Sequence, residues 1–217
     1  MTLVEPAPNL SAPGPDAVER ILAAAKDLFA ESGFNAVSMT AIAVRAGVSK
    51  ANVFHHFKSK NALYLEVLKT AFSQPGSQID QLGRGSGTLA ERLRDFSQSH
   101  LANILRDEKI SRLIQRDLLE NGAQRGKEFA EQVFGQNFAG LVAFLRTGQN
   151  QGELRKGIDP AMLATLLIGA DVFFFQSREV LRHLPDVRFT DTPESYSAML
   201  VDILLRGILP HPDEPLD

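Results

Sequence analysis

The segment from Ser38 to Leu63, SMTAIAVRAGVSKANVFHHFKSKNAL, constrains the fold of this chain more than any other stretch. An apolar stripe predicts a first short helix, Gly47 permits the backbone to turn at its end, and Ser49 can cap a second helix. In that second helix Val53 and Phe57 lie on one face, whereas most of the polar side chains project elsewhere. The segment therefore predicts two short helices around a tight turn, with one face packed and the other open to a ligand.

The same segment resembles the amino-terminal domain of the tetracycline-repressor (TetR) family of bacterial transcriptional regulators. The matching residues occur in the family's order and spacing: Thr40, Ile42-Ala43, Ala46-Gly47-Val48-Ser49, Phe54-His55-His56-Phe57, Lys60 and Leu63. The first aromatic of the family pattern is usually Tyr, whose hydroxyl bonds a DNA phosphate, and here it is Phe54. The resemblance implies a helix-turn-helix domain that binds operator DNA.

The resemblance also implies which side chains face the DNA. The amino end of the second short helix would enter the major groove, with Lys50, Asn52 and His55 at base edges or phosphates. The residues expected at the DNA are Thr40, Arg45, Ser49, Lys50, Ala51, Asn52, Phe54, His55, His56 and Lys60. For Ser49 the alternative is a helix cap alone, and for Asn52 it is an ordinary solvated position.

Local charge supports a polyanionic partner, although the chain as a whole has a formal net charge of -3. Between Ser38 and Lys69 there are five basic residues and one acidic residue. A basic patch on an otherwise acidic protein attracts a polyanion to one region and repels it elsewhere. The alternative, an ordinary solvated lysine face, is disfavoured by the helix-turn-helix pattern around it.

Helical periodicity dominates the chain, and no segment alternates with period two between turn dipeptides. We therefore expect an all-α protein of about nine helices, in which a three-helix DNA-binding domain precedes a helical bundle for dimerisation and ligand binding. The expected division is a disordered arm at 1–15, the helix-turn-helix domain at 16–60, the ligand-binding and dimerisation domain at 61–209, and a tail at 210–217.

Caps and helix breakers predict the helix boundaries. Asp16 and Glu19 predict a capping box for the first helix, which should stop at Gly33. Later helices are expected at 59–72, 88–106 and 109–121, and a long helix at about 125–148. Asp159-Pro160 and Thr192-Pro193 should open the last two helices.

The stretch from Met162 to Phe175 is almost continuously apolar, so we expect it to be buried against its own bundle and a second subunit. It is shorter than the roughly 20 residues that span a bilayer and contains Asp171, so no membrane partner is expected. The resemblance implies that the last two helices pair across a two-fold axis. The interface residues expected are Leu163, Leu167, Ala170, Phe174, Leu181, Tyr196, Leu200, Ile203 and Leu204.

Seven of the fourteen phenylalanines lie between Phe129 and Phe175, where they could line an apolar ligand pocket. Plain core packing is the alternative for each of them. Asp171 lies among apolar neighbours and needs a partner, either Arg178, another arginine or a ligand. The pocket residues expected are Phe96, Gln115, Phe134, Asn137, Phe138, Asp171 and Phe174. By resemblance, an apolar or amphipathic effector of unknown identity would move the fourth helix and separate the DNA-binding heads.

These observations predict a cytoplasmic, ligand-responsive regulator, in the first place a repressor, that binds a near-palindromic operator as a homodimer. The chain has no cysteine, and its adjacent His55 and His56 point about 100° apart on a helix, so neither disulfides nor a metal site is expected. No catalytic constellation or cofactor motif stands out, so we expect no enzyme activity. The alternative is a helical ligand-binding or adaptor protein that does not bind DNA.

Overall fold

A computed structural model of the chain describes residues 16–72, 79, 82–83 and 85–208. The expected arm at 1–15 and tail at 210–217 lie outside the described residues. Those that are described form helices and connecting turns without a strand, so the all-α prediction is confirmed. The chain divides into two compact units, Met1–Val67 and Leu68–Asp217, and the division falls within a helix beyond the expected boundary at residue 60.

The first unit is built from three helices and the start of a fourth. They are α1 (Ala17–Ala36), α2 (Met39–Ala46), α3 (Lys50–His56) and α4 (Lys60–Phe72). Asp16 precedes α1, but its side chain makes no capping bond, so the capping box expected there is not formed. Gly33 interrupts α1 with φ 78° and ψ 167°, which confirms the helix break expected at that glycine.

A dense core fixes these short helices. Ile21, Phe29 and Ile42 are fully buried in it. Phe29 and Tyr64 meet edge to face with ring centroids 5.0 Å apart, a favoured arrangement for aromatic pairs. Phe34 closes the cluster at 4.9 Å from Tyr64. Because interiors of this kind are close-packed, the first unit is a rigid support for whatever its surface presents.

The second unit consists of long helices. They are α5 (Leu89–Arg106), α6 (Glu108–Phe129), a π-helical segment (Ala130–Phe134), α7 (Gly135–Asn150), α8 (Pro160–Leu181) and α9 (Pro193–Ile208). Thr88 and Glu91 form the expected capping box of α5, with Thr88 Oγ1 accepting from Glu91 N at 3.2 Å. Asp159 accepts from Ala161 N at 2.8 Å and caps α8, so both expected starts are confirmed.

One expected helix boundary is wrong. The break at Asn121-Gly122 is absent, and α6 continues to Phe129. Asp117 binds Asn121 and Arg125 on either side of Gly122, and these contacts offset the cost of about 1 kcal/mol for a mid-helix glycine. The helix register changes instead in the π-helical segment, where a Cβ on Gly135 would lie 2.3 Å from the Ala130 carbonyl oxygen.

The core of the second unit joins residues from α5, α7, α8 and α9. Its apolar members include Leu93, Phe144, Leu163, Leu167 and Val201. At its edge Arg94 donates to Asp202 at 2.6 Å and so links α5 to α9. This single cluster holds the helices that carry the expected ligand and dimer residues.

Candidate functional site

The turn between α2 and α3 sets the direction of α3. Gly47 adopts φ 65° and ψ 36°, a left-handed conformation that few other residues tolerate. Its N–H donates to Val44 O at 3.2 Å, and Val48 N donates to Ala43 O at 3.0 Å. These bonds satisfy carbonyl groups at the end of α2. The chain then enters α3 within three residues, as in a helix-turn-helix.

Serine side chains cap the helices of this region. Ser38 Oγ accepts from Ala41 N at 3.1 Å, Ser49 Oγ from Asn52 N at 3.1 Å, and Ser59 Oγ from Ala62 N at 3.0 Å. The expected capping role of Ser49 is therefore present in the structure. A hydroxyl that accepts a hydrogen bond still has its own proton to donate, so capping leaves Ser49 able to bond a phosphate.

The two faces of α3 differ sharply in burial. Val53 is fully buried and Phe57 is 9% exposed, so these two side chains anchor the helix. Most of the residues expected at DNA are exposed: Thr40, Arg45, Ser49, Lys50, Ala51, Phe54, His55 and His56. The Lys50 ammonium lies 6.0 Å from the centroid of the Phe54 ring. The exposed face therefore presents hydrogen-bond donors, positive charge and one aromatic ring together, which suits a nucleic acid backbone and groove.

Asn52 differs from the other expected contacts because it is half-buried. Its Oδ1 atom is covered by protein and has no hydrogen-bond partner. The alternative of an ordinary solvated side chain therefore fails for that atom. A bidentate contact to adenine requires the amide to turn outward, and an unmet buried acceptor costs about 1–3 kcal/mol, which favours such a turn when a donor arrives.

Lys60 also has a role within the first unit. Its ammonium donates to the Phe34 carbonyl at 2.9 Å, reaches the Asn35 carbonyl at 3.5 Å, and lies 4.3 Å from the Phe34 ring centroid. Lys60 therefore holds the end of α1, and its expected phosphate contact stays a prediction that would use its remaining N–H donor. Sequence pattern alone could not show this, because the carbonyls that bind Lys60 lie about 25 residues earlier in the chain.

The structure adds Val44 to the candidate DNA-facing residues. This valine lies on α2 and is 77% exposed, a large value for an apolar side chain beside a basic region. An exposed apolar group next to the recognition helix can contact a thymine methyl group. Apolar character usually predicts burial, which is why the sequence pattern did not place Val44 at the DNA.

The second unit contains two cavities beside Arg92. The larger, about 380 Å³, is lined by residues that include Leu89, Arg92 and Phe144. The smaller, about 200 Å³, is lined by Arg92, Asp95 and Phe96 among others. Of the expected ligand residues Phe96 lines the smaller one. The others lie outside the lining of both cavities: Gln115, Phe134, Asn137, Phe138, Asp171 and Phe174.

Asp171 has a different partner from the one expected. His100 Nδ1 lies 2.7 Å from Asp171 Oδ2, whereas Arg178 binds Glu108. Burial raises the pKa of the Asp171 carboxyl, although the hydrogen bond from His100 opposes this effect. Asp171 Oδ1 is buried without a partner. Burial, with the nearby Asp171 charge, also raises the pKa of Tyr196 to about 12.

The expected dimer residues divide by burial. Leu163, Leu167 and Phe174 are at most 3% exposed within their own chain, so these three cannot form the surface that a second copy would contact. They are core residues, and their assignment to the interface was wrong. The rest keep accessible surface, Ile203 the most at 71%: Ala170, Leu181, Tyr196, Leu200, Ile203 and Leu204.

A different set of apolar residues faces outward on α8. Met162, Leu166, Phe173 and Val180 are 46–68% exposed, and their spacings of four and seven residues place them on one side of the helix. We call these four residues the α8 stripe. The stripe is not visible in the sequence, because α8 is apolar on all sides and its pattern does not distinguish the inner face from the outer face.

The length of α8 also corrects an expectation. The helix has 22 residues with a mean hydropathy of 1.4 over its most apolar window, which is long and apolar enough to cross a membrane. The expectation that this segment is too short to span therefore fails. One-third of that window is nevertheless buried inside the protein, and the buried Asp171 pairs with His100. The second feature, a buried carboxyl paired inside the protein, is that of a helix packed in its own bundle.

The family model for bacterial regulatory proteins of the tetR family matches residues 21–67. These residues run from α1 through the Gly47 turn and α3 into α4. The chain therefore carries an amino-terminal domain of the TetR family. The resemblance recognised in the sequence is thereby confirmed.

Relatives and solved structures extend the similarity beyond residues 21–67. The chain is 37% identical over 114 residues to the HTH-type transcriptional activator FasR of Mycolicibacterium smegmatis, covering 52% of this chain and 50% of FasR. It is 22% identical over 150 residues to the fatty acid metabolism regulator protein of Bacillus subtilis, covering 69% and 77%. FadR of Bacillus subtilis in complex with stearoyl-CoA has the same fold, with a TM-score of 0.70 at 20% identity over 88% of this chain and 98% of FadR.

The match to the TetR family bears on the class of function. TetR-family proteins are transcriptional regulators rather than enzymes, so the prediction of no enzyme activity is confirmed. The aligned part spans half of FasR, and at 20% identity the FadR structure shows the fold alone.

Proposed function

We propose that this TetR-family regulator is a cytoplasmic homodimeric repressor that binds a near-palindromic operator and is released by an apolar or amphipathic ligand. The observation that carries the proposal is the two-faced α3. Val53 and Phe57 anchor it, while Lys50 and His55 extend from its exposed side. Such a helix fits the major groove with its amino-terminal residues at base edges.

The α8 stripe supports the homodimer. Soluble proteins rarely leave several large apolar side chains exposed along one helix face, so the stripe requires a cover. A second copy of the chain supplies the same stripe through a two-fold axis. Two recognition helices related by that axis bind half-sites about 34–36 Å apart, which is why the operator should be a near-palindrome.

The second unit supports a small-molecule effector. Its larger cavity, about 380 Å³, falls within the roughly 300–1,000 Å³ typical of ligand sites. The relatives named for fatty acid metabolism, and FadR with its stearoyl-CoA, favour an amphipathic compound as the effector of this chain too. Ligand binding would act on the heads through a change in the position of α4, which contains the boundary between the two units.

DNA binding is tested by an electrophoretic mobility shift with the intergenic DNA beside the protein's own gene. Lys50→Ala and His55→Ala should each weaken the complex about 5- to 150-fold for each half-site, because one good base contact contributes roughly 1–3 kcal/mol. Lys109→Ala is the matched control, since Lys109 is an exposed lysine of the second unit. If the wild-type protein fails to shift this DNA, or the head variants bind as the control does, the adaptor alternative replaces the regulator.

The sign of regulation is tested in cells that lack the gene. Transcripts from the flanking promoters should rise, since a bound repressor blocks them. A fall in those transcripts would identify an activator, which is what the name of FasR states for that relative. Supplying the effector to wild-type cells should reproduce the direction seen in the deletion.

A further inference from the structure

The larger cavity of the second unit differs from an ordinary packing void because the charged side chain of Arg92 lines it. The cavity walls include Leu89, Ala143 and Phe144, with Thr147 among its polar lining. Arg92 alone among the described lining residues carries a charge. A cavity with apolar walls and one cation is complementary to a molecule with an apolar body and an anionic end.

The Arg92 side chain has one buried donor without a hydrogen-bond partner. Its Nη1 donates to the Leu82 carbonyl at 3.1 Å, and its Cζ lies 4.9 Å from the centroid of the Phe144 ring. Its Nε is buried and has no hydrogen-bond partner. A purely structural clip between Leu82 and α5 explains Nη1 but leaves the buried Nε–H unsatisfied, which favours a turn of the guanidinium toward a ligand oxygen in the cavity.

Other arginines of the same unit show what a structural role looks like. Arg94, Arg125 and Arg178 each form an ion pair with a carboxylate. Among the described residues, the Arg92 side chain instead donates to a neutral carbonyl. Its guanidinium charge is therefore available to an incoming anion, and its planar fork suits the two oxygens of a carboxylate or phosphate.

We propose that Arg92 binds the anionic group of an amphipathic ligand in this cavity, with its guanidinium N–H groups donating to a carboxylate or phosphate oxygen. The apolar part of the ligand packs on Leu89, Ala143 and Phe144. The larger cavity is the site, because the smaller one is also lined by Asp95, whose carboxylate repels an anion. That this ligand is the effector rests on the function proposed above.

The first experiment measures binding to the full-length protein by isothermal titration without DNA. Decanoate and decan-1-ol share an apolar chain and differ in the charge of the end group. Decanoate should bind at least about tenfold more tightly, because hydrogen bonds between charged partners are roughly twice as strong as neutral ones. Arg92→Met keeps apolar contact with Phe144 but removes the cation, so it should abolish the preference. Decyl phosphate in place of decanoate distinguishes a phosphate ligand from a carboxylate ligand.

A second pair of variants tests the cavity without altering Arg92. Ala143 and Ala139 are both exposed residues of α7, and only Ala143 lines the cavity. Ala143→Leu should weaken decanoate binding about tenfold or more by filling the space, whereas Ala139→Leu should not. This pair keeps the inference testable if Arg92→Met does not fold. Equal binding by both alanine variants, or no binding of either anion to the wild type, overturns the proposed site.

Measuring whether decanoate releases the protein from its operator distinguishes a failure of the Arg92 site from a failure of the proposed function. If decanoate binds through Arg92 but leaves the operator complex intact, the site stands and the effector role fails. If an amphipathic compound releases the operator equally from wild type and Arg92→Met, effector control stands and the Arg92 site is wrong.

Discussion

The two units place polar and apolar groups in opposite ways. In the first unit Val53 is buried beneath an exposed polar face, which is the usual arrangement for a folded domain that presents a surface. The second unit buries Ser97, Asp171 and Ser197 to at most 1% exposure, yet leaves Phe173 61% exposed. The first unit therefore buries apolar residues in its own core and exposes its polar side chains. The second unit has an exposed apolar face and buried polar groups, and both require further partners.

The largest expected effect comes from placing a charge on the exposed apolar face of the second unit, in the α8 stripe. Phe173→Glu should convert the homodimer to a monomer, because a charge on each copy would be buried in the interface. Operator affinity should fall more than about 100-fold, since each monomer keeps only one half-site. Sedimentation velocity gives the oligomeric state, and a mobility shift gives the affinity.

Leu119→Glu is the matched control for the stripe. Leu119 is 82% exposed on α6, so its replacement places a charge at an exposed apolar position outside the stripe. The control should remain dimeric. A dimeric Phe173→Glu variant with normal operator affinity would show that the stripe is not the interface, and partition of the wild type into lipid vesicles would assign it to a membrane instead.

The next effect concerns the buried pair of the second unit. His100→Ala removes the hydrogen bond to Asp171 and should lower the free energy of unfolding by about 1–3 kcal/mol, the cost of an unsatisfied buried group. Chemical denaturation at neutral pH measures this change. Arg182→Ala is a suitable control, because Arg182 is exposed and its ion pair with Glu179 should contribute little. Equal stability of the two variants would contradict a structural role for the pair.

The pH dependence of Asp171 has a definite sign. Its carboxyl pKa is raised by burial above the ordinary value of 3.8, so the folded state holds the proton more tightly than the unfolded state. This contribution favours folding below pH 3.8 and is lost as the pH rises through the raised pKa. Asp171→Asn should remove that loss, so the stability of wild type relative to this variant should fall from pH 3.8 upward. A constant difference would show that the carboxyl is not perturbed.

The structural features that were predicted correctly depend on residues that lie close together in the chain. Ser49, Thr88 and Asp159 cap their helices through bonds to backbone groups two or three residues away, and Gly47 turns within its own motif. Such features depend on neighbours in the chain and are visible without a tertiary structure. The whole helix-turn-helix is of this kind, which is why its fold and its packed face were predictable.

Failures of prediction involve contacts between distant residues. His100 and Asp171 are 71 positions apart, and Lys60 is 26 positions from Phe34. No periodicity or spacing identifies such partners. The α8 stripe has the same origin, because a helix that is apolar all round shows its inner face only when the other helices are placed. Predictions were therefore weakest for the ligand and dimer residues of the second unit.

The smallest expected effect concerns Phe54, on the DNA-facing side of the first unit. Phe54 is 42% exposed where the family pattern usually has Tyr, so Phe54→Tyr would add a hydroxyl on the DNA-facing side without disturbing the core. One new phosphate hydrogen bond should raise operator affinity about two- to tenfold, equivalent to roughly 0.5–1.5 kcal/mol. Because the hydroxyl is uncharged, the salt dependence of binding should stay the same, whereas Lys50→Ala should reduce it. Fluorescence anisotropy at several salt concentrations separates the two effects. Unchanged affinity of Phe54→Tyr would mean that the head docks with this side chain away from the phosphate, so that positioning depends on the charged and helix-capping groups around it.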